Sequence, residues 1–299
     1  MVKHLKLLFK ACKNWSADNA FQHSAALAFY TLFSMAPLLI LAVTLTGIFF
    51  GEEAAQGELV ETLTGWIGPD AAGELEKQIA LAHPAQSGWF STVLGFSLLA
   101  IGATTVFGQL QTSLNHIWKV TTHPRRNTIL ILLKTRLLSL TLVLTIGFLL
   151  LVSLMMTAFL STLIAHASEY VMLPGWSLKT VDFILSILII TVLFASIFKV
   201  LPDVILPWRE ALTGAIITAL LFVVGKFVIS LYLAYSGATS AYGAAGSLVA
   251  ILLWVNYSGL ILFLGVQVTK VYAEERGIPI LPKPTAVALK IEVVETENI

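Results

Sequence analysis

The chain has 299 residues, 57% of them hydrophobic and only 12% charged, at a mean hydropathy of +0.87. A water-soluble domain carries about 25% charged residues, so these proportions exclude an ordinary soluble globule and put lipid around much of the surface. A net charge of +1 gives no global field to recruit nucleic acid or cations, and the single cysteine, Cys12, excludes an intrachain disulfide or a cysteine metal cluster.

Residues 3–15 predict a basic amphipathic helix: Leu5, Leu8, Phe9, Cys12 and Trp15 share one face, and Lys3, Lys6, Lys10 and Lys13 the other. Within a segment of residues 1–19 it is expected to lie flat on the inner leaflet, with Cys12 packed on its apolar side. The other reading of those lysines is contact with nucleic acid. The apolar run from Ser24 to Gly51 is longer than the h-region of a cleaved signal peptide and long enough to span a bilayer, so it is read as retained.

Six spans are predicted, at about 24–50, 89–118, 131–165, 180–199, 210–235 and 244–270, each near or above the ~20 residues a bilayer requires. The fold class is therefore all-α, a six-helix membrane domain over 20–272 with a tail over 273–299. With the amino terminus inside, fifteen Lys and Arg fall in inside segments and two, Lys77 and Lys179, outside. That bias places both termini in the cytoplasm of a multi-pass protein.

The external segment 52–88 carries seven acidic residues and two helical stripes, Leu59, Leu63, Trp66 and Ile67, then Ala72, Leu75, Ile79 and Ala82, broken at Gly68-Pro69. It reads as a short helical lid over the helix ends, or as an acidic vestibule. The tail bears Pro279, Pro282 and Pro284 and is expected to be mobile. Its alternation at 287–293 needs a partner edge, since a lone strand does not stand by itself.

Several spans carry a polar or small stripe at helical spacing. His23, Tyr30, Ser34 and Pro37 align on the first, where Pro37 kinks the helix and frees the Phe33 carbonyl. Gln111 and Asn115 end a stripe on the second, Ala211, Ala215, Ala219, Lys226 and Ser230 align on the fifth, and Asn256 and Gln267 recur on the sixth. Any one of these residues can serve helix packing alone; together they suggest a polar interior. Lys226 is a lone charge in an uncharged stretch, costing on the order of 3 kcal/mol at membrane depth. It can pair with Asp182, donate to carbonyls freed at Pro37, bind an anionic substrate, or snorkel. Between the fourth and fifth spans, Pro202 and Pro207 stiffen a cytoplasmic turn, Trp208 and Arg209 belong at headgroup level, and Asp203 can cap or pair with Arg209. That turn is read as a rigid hairpin, or as a gate.

No phosphate-binding loop, HExxH or GxSxG is present, and the histidines are scattered, so neither catalysis nor a metal or other cofactor is expected. The group His116, His123, Arg125 and Arg126 is read as a topology signal rather than a phosphate contact.

The segments HSAALAFYTLFSMAPLLI (23–40), FGQLQTSLNHIW (107–118), LPDVILPWREALTGA (201–215), GKFVISLYL (225–233) and AYGAAGSLVAILLWVNYSG (241–259) resemble the YihY/virulence factor BrkB family of bacterial inner-membrane proteins. The resemblance covers about 20–275. It implies a six-span protein of ill-defined activity, linked in some bacteria to serum resistance and suspected of transport; the ribonuclease BN label once given to relatives is generally regarded as mistaken. Lys226 matches the family's lysine in the fifth span, whereas Gln267 stands where many relatives carry Glu.

These readings converge on a transporter of a small polar or anionic solute. Its cavity would be lined by the first, second, fifth and sixth spans, with charge from Lys226 and hydrogen bonds from Gln111, Asn115, Asn256 and Tyr30. The alternatives are a non-transporting envelope scaffold and, third, a membrane hydrolase. The partners expected are membrane lipid, an unidentified small solute and, for a dimeric pore, a second copy in a homo-oligomer; nucleic acid is not expected.

Overall fold

The computed structural model describes residues 2–50, 56–57, 60, 63–64, 72–77, 105–122, 175–235, 242 and 245–290, with the helical backbone alone at 2–4, 36–50, 175–182, 185 and 233–234. In chain order these form α1 (Val2–Ala17), α2 (Ala20–Phe50), a helical segment at 105–117 labelled α3, and β1 (Val120–Thr122). Then come α4 (Gly175–Val200), β2 (Val204–Ile205), α5 (Trp208–Tyr235), α6 (Gly246–Glu275), β3 (Leu281–Pro282) and β4 (Ala286–Ala288). The architecture is mainly helical. Among the described residues, Trp208–Tyr232 and Gly246–Glu275 are long and apolar enough to cross a membrane. The predicted span 131–165 and the first part of 89–118 lie outside the described residues.

Helices α5 and α6 form an antiparallel hairpin whose contact surface is set by small residues. Thr218 faces Gly265, Thr269 faces Gly214, and Tyr257 and Ile261 face Gly225, so closely that a Cβ at any of these glycines would overlap its neighbour. Ser24 of α2 meets Gly259 on α6 less closely, at 3.1 Å from the position a Cβ would take. Glycine and threonine here let the backbones approach, which is how helices gain attraction where burial from water supplies none. Ala211, Ala215 and Ala219 of α5 are fully buried beside them, with Phe198, Phe263, Leu114 and Ile117 in one core.

That core lies toward the basic end of the bundle, where α5 begins and α6 ends. Glu210 in the first turn of α5 is buried and accepts two bonds from Arg276 Nη1, at 2.8 and 3.0 Å. Helix α6 stops because Gly277 turns left-handed (φ 68°) and the Ile278 amide reaches back to the Ala273 carbonyl, a Schellman closure. At the opposite end Leu75 packs with Ile229, Ile251 and Trp254, so part of the second stripe of the segment 52–88 is seated on the α5–α6 hairpin.

Two expectations change. Cys12 is exposed, because α1 docks on α6 through Leu7 and Ala11, against Val268 and Val271. Of the predicted apolar face, Leu5 and Phe9 are exposed, as a helix lying on a leaflet requires, while Trp15 packs on the core and donates to the Leu260 carbonyl at 3.1 Å. The tail, expected to be mobile, is held over 281–288: β3 pairs antiparallel with β2, and β4 with β1. The partner edge that the alternation from Val287 requires is therefore β1, continued by a bond from the Leu289 amide to the Lys119 carbonyl at 2.8 Å.

Candidate functional site

The turn between α4 and α5 is built around Asp203. Its carboxylate Oδ2 accepts from Asn115 Nδ2 (2.9 Å) and Gln111 Nε2 (3.2 Å), and its backbone N–H donates to Asn115 Oδ1 (2.8 Å). One asparagine thus satisfies both the backbone and the side chain of the same residue. The tail closes the other side, since the Lys283 amide donates to the Asp203 carbonyl and its ammonium to the carbonyls of Val200 and Pro202. Lys199 caps the Leu206 carbonyl. Arg209, with which Asp203 was read as able to pair, makes no ion pair with it among the described residues; Arg209 is exposed in the first turn of α5, and the Asp203 carboxylate is taken up by Asn115 and Gln111.

A second polar group lies where α1 turns into α2. Asp18 is nearly buried and accepts from Lys119 Nζ on one oxygen and from Gln267 Nε2 (2.7 Å) on the other. Both bends that deliver these groups are left-handed, at Asn19 (φ 55°) and Lys119 (φ 55°). Asparagine tolerates this conformation; for lysine it costs energy that the ion pair with Asp18 helps offset. The imidazoles of His23 and His116 stand in ring contact, centroids 4.9 Å apart, and Lys270 donates to the Ile117 carbonyl at 2.7 Å. Gln267 is fully buried, and its Oε1 has no hydrogen-bond partner among the described residues.

The third group is at the level of Lys226. Lys226 is half-buried and follows Gly225, whose missing side chain makes room for Tyr257 on α6. Flanking Tyr257, the Asn256 Oδ1 and Ser258 Oγ are enclosed with no partner among the described residues. By the helical rise of 1.5 Å per residue, Lys226 is ~27 Å along α5 from its first residue. Gln111 and Asn115, which bind the turn before that residue, therefore do not share a site with Lys226 and Asn256. Ser34 is buried and Tyr30 is 38% exposed beside Phe29. The side chains of Pro37 and Asp182 lie outside the described residues. Pro202 is buried, while Pro207 and Trp208 are exposed, with Lys199 over the Trp208 ring.

A family model described as "Virulence factor BrkB" matches residues 11–288. The chain belongs to the virulence factor BrkB family. Relatives of this BrkB-family chain include a UPF0761 membrane protein of Alcanivorax borkumensis, 25% identical over 86% of this chain and 58% of its own length. Another, from Mannheimia succiniciproducens, is 28% identical over 93% of both chains. A Bacillus subtilis relative named ribonuclease-like protein YfkH is 22% identical over 86% of this chain and 91% of its own. The chain thus spans little more than half of the Alcanivorax relative. No solved structure matches it. With relatives named as membrane proteins and two membrane-length helices of its own, this BrkB-family chain is a membrane protein.

The Asp18 group was not apparent from the sequence. The only local signal was an Asp-Asn pair between two helical runs, and nothing in Lys119 or Gln267 marked them as its partners.

Proposed function

We propose that this BrkB-family protein is a six-span, multi-pass protein of the bacterial inner membrane, with both termini in the cytoplasm, that moves a small polar or anionic solute past Lys226. The observation that carries the reading is the two enclosed oxygens of Asn256 and Ser258, on either side of Tyr257 and without a hydrogen-bond partner among the described residues, at the level where Lys226 brings a charge into the apolar part of α5. Unsatisfied acceptors in apolar surroundings cost about 1–3 kcal/mol each, and a solute bearing hydrogen-bond donors would recover that cost. Lys226 would supply the attraction for a negative group.

The scaffold reading finds support in Gln111 and Asn115, whose polar groups are used by Asp203. Those two residues belong to the architecture, and the solute path is assigned to Lys226, Asn256 and their neighbours. Replacement of Lys226 by Met separates the readings. In proteoliposomes loaded with small organic anions, Lys226→Met should abolish flux while leaving unfolding in detergent unchanged. Normal flux in the variant would remove Lys226 from the path. A collapse in stability that Asp182→Asn repairs would make it a structural ion pair.

A further inference from the structure

We propose that Asp18, His23, His116 and Gln267 form a proton-exchange site at the basic end of the bundle, in which the two imidazoles hold one proton more readily than two and Gln267 Oε1 accepts the small hydrogen-bond donor that delivers it. Four observations converge. The rings of His23 and His116 are 4.9 Å apart, too close for both to be charged without strong mutual repulsion, so the pair holds one proton more readily than two. Both rings are half-buried rather than sealed, which leaves a route for exchange. The charges facing them are Asp18 from the α1–α2 turn, Lys119 after α3 and, beside His116, Lys270 from α6. Of these, Asp18 and Lys119 offset each other through their ion pair, so gain or loss of one proton on the imidazoles changes the local charge beside Lys270.

The fourth observation is independent of the histidines. Gln267 has no exposed surface, its Nε2 is committed to Asp18, and its Oε1 is unpartnered among the described residues. A buried amide with one end bonded to a carboxylate and the other end open is an acceptor awaiting a small donor, and water or hydronium is the donor that fits a fully enclosed atom. Only a proton moves, between a ring nitrogen and that donor, so charge and atoms balance with no other co-reactant. Coupling of this exchange to solute movement rests on the transport reading above; the site itself does not.

The test uses the full chain in lipid nanodiscs with nitrogen-15-labelled histidine, His23 and His116 being assigned through His23→Asn and His116→Asn. Between about pH 5 and 8, where histidine titrates, the expected result is that the two rings respond as a linked pair, so that removing either changes the titration of the other. Asp18→Asn should displace both titrations, and Lys119→Gln should displace both in the opposite sense. Lys119→Gln also serves if Asp18→Asn does not fold. Two rings that titrate independently, or that ignore both charge changes, would overturn the site. A parallel measurement follows an internal pH dye in proteoliposomes. Proton movement that accompanies solute flux and falls at least several-fold in Gln267→Leu supports coupling, whereas linked titration without any solute flux would uphold the site and reject the transport reading.

Discussion

A methyl group added at Gly265 would lie 1.8 Å from Thr218 Oγ1 and 2.9 Å from both its Cβ and Cγ2. Thr218 has little freedom to yield: a β-branched side chain on a helix has few rotamers, and its hydroxyl donates to the Gly214 carbonyl at 2.7 Å. The hairpin cannot open locally either, because Thr269 meets Gly214 one turn away on the same interface. Overpacking costs about 1–3 kcal/mol and a displaced buried hydroxyl about 1 kcal/mol, so Gly265→Ala should destabilise by about 2–4 kcal/mol. Reversible unfolding in mixed detergent micelles, followed by near-ultraviolet circular dichroism, measures this. Thr218→Gly removes every threonine atom that the methyl meets, so in that background Gly265→Ala should cost almost nothing, a coupling of the same size as the original loss. Equal cost in both backgrounds, or a Gly265→Ala protein within about 0.5 kcal/mol of the parent, the usual range for a site with no special contact, would refute the close-approach account of the α5–α6 contact.

Asn115→Leu removes two bonds to Asp203 and should lower stability by about 2–3 kcal/mol, more than Gln111→Leu, which removes one longer bond; thermal aggregation in detergent ranks the pair, and the reverse order would show that Asp203 is held by something else. Cys12 is exposed, so an impermeant maleimide should label it in inverted membrane vesicles and spare it in intact spheroplasts, where Glu58→Cys should react instead. The opposite pattern would invert the proposed orientation.

The helices were legible because long apolar runs and the positions of Lys and Arg are local signals. The small-residue stripe Ala211, Ala215 and Ala219 was visible in the spacing and is fully buried. Gln111 and Asn115 were singled out as lining a cavity, yet periodicity names a face and not a partner, and the group they bind is Asp203, in a turn far along the chain. Helix α1 has two apolar stripes, and only the one with Leu5, Phe9 and Cys12 was visible in the pattern, while the small pair Leu7 and Ala11 makes the contact with α6. The Asp18 group stayed hidden because it is assembled from separate parts of the chain: His23 and Gln267 stood on polar stripes, but nothing local tied them, or Lys119, to Asp18.

The pairing of β4 with β1 and of β3 with β2 also sets an order of assembly. β3 and β4 complete edges that were synthesised long before them, with more than half the chain between β1 and β4. Until Lys283 and Leu289 have been made, the carbonyls of Lys119, Val200, Pro202 and Asp203 lack the donors that later close them. Insertion of the apolar helices can proceed without these strands, but the basic end is finished only once residues 281–289 have been made. A chain cut before about residue 283 would carry α1 to α6 with that end still open, a structural mark by which it differs from one that has β3 and β4 in place.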